Sequence, residues 1–165
     1  MSKKPVTYPL NEGTFVTLNP QEDRSINILR YMDDDNNPYN ILINRATLEE
    51  DQTVDEFCES QTERMKNFVP GFEVEGKNLK HEIGPAKLPV LQTANKFLED
   101  GSWVHQVSSI VTLPWHPTLN PANRKLLVFT LAANNEFTEA QRKHYVRIIN
   151  SFVPLETPLG TEKQG

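Results

Sequence analysis

The sequence predicts an α+β fold: a mostly antiparallel, twisted sheet of about six to seven strands with two main helices, in the order β-β-β-α-β-β-β-β-α. Three observations carry this expectation. Two capping boxes, Thr53-Val-Asp-Glu56 and Thr138-Glu-Ala-Gln141, each open a segment whose apolar residues recur at helical spacing. Most of the remaining chain is short segments of Val, Ile, Leu and Thr, punctuated by Pro, Gly, Asn and Asp. The connections between these segments are short, which favours antiparallel neighbours.

Taken in order, Thr14 to Leu18 reads as a strand and Ser25 to Met32 as a second. The acidic run Asp33-Asp-Asp-Asn-Asn-Pro38 is a hairpin turn, which makes Tyr39 to Ala46 an antiparallel third strand. The first helix starts at the Thr53 cap, carries Val54, Phe57, Cys58, Met65 and Phe68 on one stripe, and stops at Pro70-Gly71. Phe72 to Ile83 alternates loosely and should break or twist near Gly76. Leu88 to Leu98 and Ser102 to Leu113 are strands joined by the turn Glu99-Asp-Gly-Ser102. Trp115 to Arg124 is a loop, and Lys125 to Ala132 a further strand. The second helix turns Tyr145, Ile148, Ile149 and Phe152 inward and ends before Pro154. Two helices of this length are expected to cover only one face of such a sheet.

The 165 residues, 37% hydrophobic and 24% charged, suffice for one domain with a buried core. No internal repeat or boundary divides them, so a single domain over residues 7–155 is expected, with flexible polar tails at 1–6 and 156–165. The net charge of −5 comes without any basic block, which argues against nucleic acid, where affinity comes from neutralising phosphates. No stretch approaches the roughly 20 apolar residues that span a bilayer, so direct membrane insertion is not expected. The first residues lack the apolar segment of a signal peptide, and the expected location is the cytoplasm.

Chemistry-bearing residues are sparse. His81, His105, His116 and His144 lie at no metal-ligand spacing, and no nucleophile elbow, phosphate loop or dinucleotide fingerprint occurs. Cys58 falls on the apolar stripe of the first helix, as a small buried hydrophobe does. The aspartates 33 to 35 read as a solvated turn, because the rest of a calcium loop is missing. The expectation is therefore no enzyme, no metal and no cofactor; a histidine, 105 or 116, clustered with a carboxylate in a cleft would argue otherwise.

The informative residues are polar ones in apolar places. Gln61 sits in the middle of the first helix's stripe, where a buried amide needs either an internal partner or something outside the chain. Strand alternation puts Asn40, Leu42 and Asn44 on one face, with Ile41 and Ile43 on the other. Ile26 and Ile28 share a face, and so do Val104, Gln106, Ser108 and Ile110. A solvent face would be rich in Lys and Glu, and a dry core would lack amides. Apolar area dotted with neutral donors and acceptors marks an interaction surface or subunit interface.

Asp23-Arg-Ser-Ile-Asn-Ile28, the helix containing Phe57 and Gln61, Val69-Pro-Gly-Phe72 and His105-Gln-Val107 after a hairpin resemble the DcrB-like group. Within it they look most like the Eag chaperones of bacterial type VI secretion, over about Ser25 to Phe152. The resemblance implies a PsbP/Mog1-like architecture, matching the element order above. It also implies a homodimeric chaperone that binds and shields the N-terminal transmembrane helices of an effector carrying prePAAR and PAAR segments, before loading on the secretion spike. The matching groove positions are Ile26, Ile28, Asn40, Leu42, Asn44, Gln61, Val69 and Gln106. The alternative is a small-ligand or protein-binding module of the wider PsbP/Mog1 type, which a closed pocket without a dimer would favour.

Overall fold

The structure, a computed structural model, describes residues 4–156. It contains nine strands and two helices among the described residues: β1 (Pro5–Leu10), β2 (Gly13–Leu18), β3 (Asn27–Met32), β4 (Pro38–Thr47), α1 (Val54–Phe68), β5 (Glu73–Val74), β6 (Leu79–Ile83), β7 (Leu88–Glu99), β8 (Ser102–Thr112), β9 (Lys125–Ala133) and α2 (Glu139–Ser151). Both expected capping boxes form. The Thr53 hydroxyl accepts from the Glu56 amide while the Glu56 carboxylate accepts from the Thr53 amide, and Thr138 and Gln141 do the same for α2.

Seven strands build one antiparallel sheet in the order β3, β4, β9, β8, β7, with β5 and β6 both paired to the outer edge of β7. The expected break near Gly76 is the point where the chain leaves one stretch of β7 and joins another: β5 pairs at Asn95 and Lys96, and β6 at Leu88 to Gln92. Gly76 lies there at φ +72°, a left-handed backbone that glycine adopts without steric cost. β1 and β2 form a separate hairpin, held by the Tyr8–Phe15 ring stack and by the Tyr8 hydroxyl donating to Asp23 Oδ2 at 2.5 Å. Pro5 and Val6, expected in a tail, begin this hairpin; prolines at 5 and 9 hid its alternation. Of the expected C-terminal tail, residues 157–165 lie outside the described residues.

The helices occupy opposite faces, which corrects the expectation that both cover the same one. Leu127, Phe129, Leu131 and Ala133 of β9 face Tyr145 and Ile149 of α2, in a core completed by Ile41, Val90 and Val111. Their neighbours in the chain, Leu126, Ile110 and Leu91, pack against Cys58, with Val54 and Phe57 of α1 alongside. Because side chains alternate along a strand, aliphatic runs such as Leu126-Leu127-Val128 supply apolar area to both sides, and each helix finds its own seat. α1 covers only part of its face. Cys58 is buried and Val54, Phe57 and Met65 are half-buried, but Phe68 is 80% exposed.

The polar groups on the α2 side are satisfied internally. The Tyr145 hydroxyl donates to the Phe129 carbonyl at 3.0 Å and accepts from Ser109 Oγ at 2.6 Å; burial pushes its pKa upward, so it stays protonated. Asn120 closes the 115–124 loop: its Nδ2 donates to the Leu113 and Pro114 carbonyls, and its Oδ1 accepts from the Arg124 and Lys125 amides. Asp33 ties the β3–β4 turn to α2, accepting from the Asn37 and Asp35 amides and from the Thr138 hydroxyl.

Two stability tests follow from this packing. Gly84 sits at φ +71° with the Phe152 carbonyl 2.5 Å from where a Cβ would stand. Gly84→Ala should therefore cost about 2 kcal/mol and lower the thermal midpoint by about 4–8 °C. The backbone amide of Asn37, ahead of its other hydrogen-bond partners, holds Asp33 below the ordinary carboxylate value of 3.8. A depressed folded-state pKa contributes stability that is complete above the unfolded value and is lost as pH falls through the folded one. Asp33→Asn should melt below wild type at neutral pH, with the gap narrowing as the pH falls below 3.8 in circular-dichroism melts.

Candidate functional site

The cross-strand register sets side chains in rungs across the sheet face that α1 leaves partly open. One rung consists of Ile28, Leu42, Thr130, Ser108 and Thr93, running from β3 to β7. The next consists of Arg30, Asn40, Ala132, Gln106 and Asn95. On the other side, Asn44, Val128, Ile110 and Leu91 lead under α1. From β4 to β7 these rungs are aliphatic, amide or hydroxyl, without a charged side chain. Ser108 and Thr130 pair their hydroxyls at 2.9 Å.

Phe57, Cys58, Gln61 and Met65 of α1 form a wall over these rungs and enclose a cleft of about 610 Å³. Its floor includes Leu42, Asn44, Thr93, Asn95, Gln106 and Ser108, and the exposed charges Glu22, Arg24, Glu49 and Arg64 stand along its lining. A smaller cleft of about 280 Å³ continues over Asn40, Phe97, Val104 and Ala132, with Arg30 and Glu99 in its lining, and shares Leu42 and Gln106 with the first. Both open to solvent along the sheet.

The structure brings together most of the residues singled out in the sequence. Leu42, Asn44, Gln61 and Gln106 line the larger cleft, and Asn40 lines its extension. Ile28 pairs with Leu42 and continues the face outward, with Ile26 just ahead of β3; they are 64% and 60% exposed and outside both cleft linings. Val69 is the residue left apart. It is the C-cap of α1, its amide donates to the Met65 carbonyl, and it lines neither cleft. Gln61 is exposed on the wall rather than buried in the stripe, because α1 is seated mainly through its first turns. Sequence reasoning missed Thr93, Asn95 and Thr130. Alternation in β7 groups Leu91, Thr93, Asn95 and Phe97, but only the pairing of β7 with β8 sets them opposite Ile110, Ser108, Gln106 and Val104.

Other chemistry is limited. Desolvation raises the pKa of the Cys58 thiol, to which Asn78 Nδ2 donates weakly at 3.7 Å, so the sulfur is a poor nucleophile. Among the described residues no group of three or more His, Cys, Asp or Glu side chains could hold a metal, and no helix is long and apolar enough to cross a membrane. His105 does meet a carboxylate: its Nδ1 lies 3.5 Å from Glu75 Oε1, in a further cleft of about 370 Å³ with Phe137 and Arg142, which shares Thr93 and Gln106 with the larger one. That cleft has no serine or cysteine in its lining.

Two solved structures resemble this arrangement. PA94 from Pseudomonas aeruginosa, a protein of unknown function, superposes with a TM-score of 0.69 at 16% identity, over 93% of this chain and 99% of that one, which places both in one fold. LpqN of Mycobacterium tuberculosis, involved in cell envelope biogenesis, is similar with a TM-score of 0.49 at 14% identity, over 90% of this chain and 87% of that one. None of the curated proteins is a significant match. The DcrB family model matches residues 12–151, which include the whole seven-stranded sheet and both helices, and the chain belongs to the DcrB family.

Proposed function

We propose that this chain is a chaperone that holds apolar helical segments of a partner in the cleft between α1 and the sheet. The single observation that carries the reading is the make-up of the rungs. From β4 to β7 the three rungs combine aliphatic side chains with Asn, Gln, Ser and Thr, without a charged side chain, along clefts that open to solvent. A transmembrane helix in water exposes apolar area worth about 25 cal/mol per Å². Inside a bilayer such a helix packs on small residues and shares hydrogen bonds with Ser, Asn or Gln of its neighbours. A surface supplying both imitates a neighbouring helix. The resemblance to Eag chaperones names the client: the N-terminal transmembrane region of a prePAAR/PAAR effector of type VI secretion, shielded in the cytoplasm before loading on the spike. The clefts are open rather than closed, which favours this reading over a small-ligand module.

The same reading includes a homodimer. β3 is one free edge of the sheet and exposes Ile28, Leu29 and Met32, while the β1–β2 hairpin exposes Phe15, Val16 and Leu18. Apolar edges of this kind are usually covered by a partner. Light scattering at tens of micromolar should give twice the 18.9 kDa of one chain; a monomer mass would remove the dimer from the proposal.

Client binding is tested by co-expression with a partner bearing N-terminal transmembrane segments and pull-down of folded variants. Ile26→Asp and Ile28→Asp should fold, because both positions are exposed, and should lose the partner by orders of magnitude, since a charge against hydrocarbon costs several kcal/mol. Gln61→Ala and Gln106→Ala should each cost about 1 kcal/mol, since only a neutral hydrogen bond is lost. Lys143→Glu, on the exposed side of α2, should be silent. Undiminished capture by both aspartate variants would place the client elsewhere.

A further inference from the structure

Asn95 occupies the middle of β7, opposite Gln106, and is only 9% exposed. Its Oδ1 is the one buried side-chain nitrogen or oxygen among the described residues without a hydrogen-bond partner. The contrast with the other buried amides is sharp. Asn120 makes four hydrogen bonds, and Gln141 is engaged in the α2 capping box. An unpaired buried acceptor weakens the free protein, and an apolar side chain of similar size would remove that penalty. The same face of β7 carries such side chains at Leu91 and Phe97, so the strand accommodates them.

We propose that Asn95 makes the cleft selective for helices that carry a hydrogen-bonding group among their apolar residues. This rests on the reading of the cleft as a seat for apolar helices. The Asn95 side chain lies in the lining of the cleft, where α1 overhangs the sheet. A carboxamide has a donor end and an acceptor end, and a half-turn about χ2 exchanges them. It can therefore meet a hydroxyl, an amide or a free carbonyl of the incoming segment. A uniformly apolar helix would leave the acceptor unpaired, as it already is in the free protein, whereas a segment with a donor would relieve it. The cleft thus discriminates by the hydrogen bond that only a segment with a polar group gains.

The test uses two fluorescein-labelled Leu/Ala peptides of transmembrane length with lysine ends, one carrying a central Asn and one without it, titrated by anisotropy. Wild type should bind the Asn-bearing peptide about five- to tenfold more tightly. Asn95→Leu should bind both alike, and its free form should melt about 2–4 °C above wild type, because the orphaned acceptor is gone. A merely structural Asn95 would give the opposite shift. Retained preference in Asn95→Leu, or a lower melting midpoint, overturns the proposal. Equal binding of the two peptides by wild type removes the role of Asn95 alone, whereas binding of neither removes the helix-seat reading and this inference with it.

Discussion

The architecture turns on how far α1 reaches across its face of the sheet. β9 shows the consequence within a few residues. Leu127, Phe129, Leu131 and Ala133 are covered by the α2 side, and Leu126 and Val128 by α1, but Thr130 and Ala132 lie beyond the helix. Thr130 and Ala132 are themselves only 5% and 7% exposed, yet they line the clefts and not the contact with the helix. Because α1 is anchored by Val54, Phe57 and Cys58, and its last turn stands clear with Phe68 exposed, the remaining rungs become the floor of a cleft.

The two faces also treat polar groups differently. On the α2 side, Ser109, Tyr145 and the Phe129 carbonyl close a buried network, and Tyr39 pairs its hydroxyl with His144 Nδ1 at 2.8 Å beneath the Tyr31 ring. These groups specify the packing and are complete without a partner. On the cleft floor Ser108 and Thr130 pair their hydroxyls, Gln61 is exposed on the α1 wall, and Asn95 keeps an unmet acceptor. Buried polar groups in a stable core are nearly always paired. Among the described residues Asn95 is the exception, and it lies in the cleft rather than in the α2 core.

Local signals in the sequence determined the helices, their caps and most of the strands. Thr53-Glu56 and Thr138-Gln141 specify their helix starts by short-range hydrogen bonds, and the Asp33 to Pro38 turn specifies the β3–β4 hairpin, so no distant contact was needed to find them. The face shared by Asn40, Leu42 and Asn44, and that shared by Gln106 and Ser108, were equally legible, since alternation along one strand is a local property. Tertiary structure alone decided which strands lie side by side, and with that the side of the sheet each helix covers. Gln61, placed in an apolar stripe by its spacing, is exposed because only part of α1 is seated; Val69, matched by resemblance, is a helix cap away from the clefts; Asn95 joins the site only through its pairing with Gln106. Periodicity tells a residue which neighbours share its face, but it cannot say what covers that face, because cover is set by register and packing between segments far apart in the chain.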